Sequence, residues 1–207
     1  MKCRFCDIVN GNYKYQDVDK PFSENDDFFA IASIGSMIEG WSLIIPKNHQ
    51  LSMRNIYQHK NFKKIINEIL PLMANEYGNI ISFEHGSNEE GSITACGTDH
   101  AHLHLVPYKD SLVYELENSG LKWEQCLSSE IKNKTGNKEY LFYSDINSTT
   151  SWEDPIGYLH ILEYPISQYF RHLLAKKIDK VKESDYKIFP FLENAVQTRL
   201  TFNKLTA

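Results

Sequence analysis

The chain has 207 residues, 42% of them hydrophobic and 24% charged, with a formal net charge of -5. That length suits one well-buried core with an elaboration and is short for two full domains. No apolar run approaches the ~20 residues of a membrane span, the opening MKCRFCDIVNG has no apolar export signal, and a pI near 5.9 argues against a generic phosphate-coating surface for nucleic acid. A cytoplasmic protein without a membrane partner is the expectation.

Cys3 and Cys6 stand in the C-x-x-C spacing of a metal knuckle or a redox pair. The redox form expects a strand before the motif, and the few residues ahead of Cys3 are too short for one. Asp27 to Ile31 and Trp41 to Pro46 are aromatic or β-branched runs separated by a Gly-containing loop, which predicts two neighbouring strands. Between Asn61 and Tyr77, Phe62, Ile65, Ile66, Ile69, Leu70, Leu72 and Met73 recur at helical spacing, with Gly78 as the stop and Pro71 as an expected kink. Asn79 to Glu84 and Ala101 to Pro107 read as two more strands.

Beyond residue 110, Glu139 to Ser144 and Tyr158 to Tyr164 read as strands around a polar loop, Asp145 to Asp154. A helix follows with Ser167 as N-cap and Tyr169, Phe170, Leu173 and Leu174 as its apolar stripe. Pro190 then opens a last helix to about Phe202. Cys126 reads as a buried apolar residue. No repeat, low-complexity tract or linker is visible.

Three of the eight histidines fall in HAHLHLV, at His100, His102 and His104. Side chains two apart on a strand share a face, roughly 6.8 Å from one to the next, so the three imidazoles line one face while Ala101, Leu103 and Leu105 turn to a core. Such a row can bind zinc, or one imidazole can act as nucleophile or general acid. A metal ties up the lone pair a nucleophile needs, so both uses cannot share one nitrogen.

HAHLHLV resembles the alternating histidine motif of the histidine triad (HIT) superfamily. Gly40 to His49 (GWSLIIPKNH) is similar to that family's G-x-x-L-V-I-P-K-x-H signature, and Cys3 to Gly11 (CRFCDIVNG) to the C-x-F-C-x-I-x-x-G opening of bacterial members. The resemblance spans residues 1 to 110. It implies a structural zinc held by Cys3, Cys6, His49 and His100, with Cys96 as an alternative fourth ligand. It also implies that His102 attacks the α-phosphorus of a nucleoside phosphate derivative to form a nucleotidyl-histidine, with a backbone carbonyl fixing its tautomer. His104 would then contact phosphate oxygens or assist the leaving group. Histidine rather than glutamine at that third position favours hydrolysis over group transfer.

Three departures bear on substrate. Ser33 stands where the family commonly has a ribose-binding aspartate, Phe83 to Gly86 (FEHG) replaces an N-x-G turn, and Cys96-Gly97-Thr98-Asp99 replaces a Gln-Ser pair. Glu84 and His85 are read as a turn at the rim or as a pair facing the triad, and Gly97 as a phosphate-contact position. Ser167, Gln168 and Arg171 fit an S-Q-x-x-R element of a longer subgroup, making Gln168 and Arg171 candidates to reach a substrate phosphate.

These readings define an α+β, HIT-like antiparallel sheet with a packed helix over residues 1 to 110, and a strand and helix extension over 111 to 207 that covers the active site as a degenerate half-domain. The expected activity is a HIT-type nucleotide hydrolase acting on a nucleotide or nucleotidyl conjugate, with a homodimer allowed. The alternatives are a nucleotidyltransferase, a non-catalytic nucleotide- or RNA-end-binding module, and a metalloenzyme using the triad histidines.

Overall fold

The computed structural model describes residues 3–146 and 151–206. Residues 147–150 of the expected polar loop lie outside the described residues. The strands are β1 (Ser23–Glu24), β2 (Phe28–Ala32), β3 (Ser42–Pro46), β4 (Ile80–Gly86), β5 (Leu103–Pro107), β6 (Glu124–Leu127), β7 (Tyr140–Asp145) and β8 (Ile156–Ile161). They form one antiparallel sheet in the order β1-β2-β3-β5-β4-β7-β8-β6.

Both faces of the sheet are covered, which is why β2 and β3 are buried along their whole length. One face packs against helix α2 (Lys60–Tyr77), where Ala30, Ile44, Leu103, Leu105 and Phe142 meet Phe62, Ile65, Ile66 and Ile69. The other carries Ile31, Leu43, Ile45, Phe83 and Val106 under α1 (Arg4–Val9) and α5 (Tyr169–Lys177), through Phe5, Phe170 and Leu174. Alternation of period two thus sends Leu103 and Leu105 to the α2 side, as expected, and His104 to the other.

Several boundaries differ from the sequence expectation. Helix α2 continues as one helix through the exposed Pro71. The α5 helix starts at Tyr169, after Gln168 in a left-handed conformation (φ 53°), so Ser167 is not its N-cap. The last helix, α6 (Leu192–Leu205), begins two residues after Pro190. Strand β4 runs through Glu84 and His85 to Gly86, so the expected turn is strand. Gly86 is needed there because a Cβ would collide with the Tyr140 ring on the paired strand β7.

The extension is larger than the two strands and two helices expected. It supplies β6, β7, β8, two short helices, α3 (Val113–Glu117) and α4 (Ile131–Thr135), and α5 and α6. A structural repeat also emerges where the sequence shows none. Chain order β3-α2-β4-β5 is matched by β6-α4-β7-β8, and the sheet order β3-β5-β4-β7-β8-β6 reads equivalently from either end.

Candidate functional site

The start of α1 brings Cys3 and Cys6 against the loop after β3 and the segment before β5. The Sγ atoms of Cys3 and Cys6 and one ring nitrogen each of His49 and His100 lie within 4.8 Å of one another. Cys3 Sγ is 3.3 Å and Cys6 Sγ 3.6 Å from His100 Nδ1, and Cys6 Sγ is 3.4 Å from His49 Nδ1. Ligands of a tetrahedral zinc with one sulfur and one nitrogen bond stand about 3.6 Å apart, so the set fits. His100 Nε2–H donates to the Pro46 carbonyl at 2.8 Å, leaving Nδ1 free as a metal ligand. Cys3, Cys6, His49 and His100 therefore form a site for a structural zinc ion. Cys96 is not part of it: its thiol donates to the Thr94 carbonyl and accepts from the Gln168 N–H.

His100 and His102 precede β5 rather than lying on it, but the two remaining triad histidines still meet, with ring centroids 4.8 Å apart. Nδ1–H of His102 donates to the His100 carbonyl at 2.8 Å, which leaves Nε2 with its lone pair. His104 has the opposite arrangement. Its Nδ1 accepts the indole N–H of Trp41 at 2.9 Å, so the neutral ring carries its proton on Nε2. Phe83 stacks on His104 with centroids 4.5 Å apart. Burial lowers the pKa of both histidines, that of His104 well below the ordinary value, keeping them neutral.

Both rings open onto a cavity of about 250 Å³. Of the residues singled out in the sequence, Ser33, His85, Gly97, Gln168 and Arg171 line it. Lys14 and Arg171 bring positive charge, Arg4 is ion-paired with the buried Asp19, and among the described residues none of the lining side chains is acidic. Ser33 donates its hydroxyl to the Ile34 carbonyl, Gly97 holds φ at +87°, and Gln168 Oε1 is buried without a protein partner. Arg171 is 7% exposed and donates from Nε to the Ser184 carbonyl and from Nη2 to that of Gly35.

Glu84 is the exception. Strand alternation puts it on the α2 side of the sheet, where it is bonded to Tyr57, Tyr140 and the Met53 N–H, so it cannot form a pair with His85 facing the triad. The sequence reading missed Arg4 and Lys14, and also Trp41 and Tyr186, whose hydroxyl donates to the Cys96 carbonyl at the cavity wall. The signal for Trp41 was its parity with Leu43, which pairs with His104. No comparable signal marks Tyr186.

No family model matches the chain, and no curated protein does. Among solved structures it is similar to a zinc-bound histidine triad family protein from Mycobacterium smegmatis, at 24% identity over 54% of this chain and 78% of that one, with a TM-score of 0.37. A Streptococcus mutans protein matches at 24% identity over 57% and 80%, TM-score 0.36. A histidine triad protein from Clostridium difficile matches at 25% identity over 54% and 94%, TM-score 0.35. Fold and site together define an α+β protein built on one antiparallel sheet, with a Cys₂His₂ zinc site beside a histidine-lined cavity. Among the described residues no helix is long and apolar enough to cross a membrane.

Proposed function

We propose that the chain is a nucleotide hydrolase acting on a nucleoside phosphate or nucleotidyl conjugate through a nucleotidyl-histidine at His102. The observation that carries this reading is the opposed tautomers of two neighbouring imidazoles, one offering a lone pair and its neighbour an N–H. His102 Nε2 attacks the α-phosphorus, a P–N bond forms, and the P–O or P–N bond to the leaving group breaks as that group takes up a proton from solvent. His104 Nε2–H donates to a phosphoryl oxygen as negative charge grows there. Water then attacks phosphorus and restores the free imidazole. The positive, carboxylate-free lining supports an anionic substrate.

His85, Ser33, Gly97, Gln168 and Arg171 surround that substrate in this reading, and the repeated strand order supports the extension as a degenerate half-domain closing the site. Zinc stays outside the chemistry and holds the segment whose carbonyl orients His102.

The test is incubation with labelled dinucleotides, nucleoside phosphoramidates and sugar nucleotides, followed by mass spectrometry. A nucleotidyl adduct on His102, and loss of turnover with retained ligand binding in His102→Asn, are expected. Wild-type turnover in that variant overturns the covalent mechanism. Binding without turnover across the panel moves the assignment to a binding module.

A further inference from the structure

We infer that Trp41 is a positioning residue that fixes which nitrogen of His104 carries the proton, and that Arg171 acts on His104 through Trp41. The inference deepens the hydrolase reading, which gives the His104 N–H its use.

A neutral imidazole exchanges its proton between two nitrogens unless a neighbour fixes it. At His104 the neighbour is the Trp41 indole, a donor with no acceptor capacity, 2.9 Å from Nδ1. With that bond in place Nδ1 must be the acceptor and Nε2 the donor. Trp41 is itself immobile, 1% exposed, with its ring edge-on to Phe83 at 5.8 Å. On its other side lies the Arg171 guanidinium, 5.5 Å from the Trp41 ring centroid.

Arg171 comes from α5 in the extension. A bidentate grip on phosphate uses two parallel N–H groups along one edge of the guanidinium. The Nε/Nη2 edge of Arg171 is already spent on the carbonyls of Ser184 and Gly35, which fixes the guanidinium plane and leaves only its Nη1/Nη2 end free. Gly35 sits at φ +77°, where a Cβ would collide with Tyr186 Cβ at 2.4 Å and crowd Nη2 at 3.2 Å. Fixed in this way, the guanidinium holds the indole by a cation–π contact, and the extension reaches His104 through Trp41.

The test combines NMR on protein labelled with ¹⁵N-histidine and kinetics on the intact zinc-loaded chain. In the wild type, long-range ¹H–¹⁵N spectra are expected to show His104 as one tautomer, protonated on Nε2, with a slowly exchanging Trp41 indole proton. Trp41→Phe should give mixed tautomers at His104 with those of His102 unchanged, and a kcat lowered roughly tenfold or more at a KM within about twofold. Arg171→Met should shift the His104 Nδ1 resonance in the same direction and also lower kcat. A wild-type spectrum with His104 protonated on Nδ1 overturns the inference without any variant. An Arg171→Met protein that raises KM alone and leaves the His104 signals in place overturns the role of Arg171 through Trp41 and makes it a substrate contact. The spectra need no turnover, so failure of the hydrolase reading and failure of this inference are distinguishable.

Discussion

Glu84 and His85 are neighbours on β4, on opposite faces of the sheet, and their surroundings differ in kind. The Glu84 carboxylate takes hydrogen bonds from Tyr57 Oη at 2.5 Å, Tyr140 Oη at 2.6 Å and the Met53 N–H at 2.6 Å. These bonds tie β4 and β7 to the loop that follows His49, and nothing is left over for a ligand. His85 sits among Phe83, His104 and Phe170 with its Nε2 buried and no protein partner. A buried polar group that the chain satisfies is structural. One left unsatisfied in a cavity wall is costly to fold around, by about 1–3 kcal/mol, unless a ligand uses it. The zinc corner belongs with Glu84, because its four ligands are complete once the metal binds.

If that division is right, breaking the satisfied regions should cost stability and altering the cavity should cost function. The largest effect is expected at the zinc corner, where metal binding contributes directly to folding free energy. Wild-type protein should hold about one zinc per chain. A Cys3→Ser, Cys6→Ser variant should lose it and melt more than about 10 °C lower, while His102→Asn keeps the metal. Elemental analysis with thermal melts reads both, and zinc lost on changing His102 would mean that the corner and the cavity are one site.

Next in size is Glu84→Ala, which strands two tyrosine hydroxyls and an N–H in the interior. Denaturant unfolding should register a loss of about 3 kcal/mol or more. Glu84→Gln, which keeps an acceptor oxygen, should lose less than half as much. Equal losses would show that packing rather than the bonds carries the cluster.

How much of this division was legible in the sequence depends on what each element reports. Helix α2 was placed within one residue because its apolar stripe repeats at the helical period, while of the metal ligands Cys3 and Cys6 were legible from their spacing and His49 and His100 only through the family resemblance of their motifs. Glu84 was misplaced because Gly86 reads as a turn signal, whereas its lack of a Cβ makes room for Tyr140, a partner 54 residues away along the chain. Strand β6 was missed because only Cys126 of its four residues is buried, so no alternation marks it. The tautomer of His104 was out of reach for a related reason. It depends on a bond from Trp41 across 63 positions, and a sequence pattern reports faces, not partners.

The smallest effect at neutral pH is expected at His85, and it sharpens the comparison through its sign. Burial pulls the His85 pKa from 6.5 to about 3. Between those values the unfolded chain binds a proton that the folded chain refuses, so stability falls as pH drops below 6.5 and the loss is complete near 3. The slope is about 1.4 kcal/mol per pH unit inside that window, or about 2 kcal/mol from pH 6.5 to pH 5. Glu84 acts in the opposite sense. Burial raises its pKa above 4.5, so the folded chain holds its proton longer and stability falls as pH rises above 4.5. The two windows overlap, and only the difference between variants separates them. His85→Leu replaces an unsatisfied ring by an apolar side chain between Phe83 and Phe170, and should raise stability by about 1 kcal/mol at pH 7. The same variant should remove that acid slope, sparing about 2 kcal/mol between pH 6.5 and pH 5, and weaken binding of a nucleoside monophosphate measured by calorimetry. An unchanged acid slope would mean that His85 already finds a partner in the folded chain, and the contrast with Glu84 would then disappear.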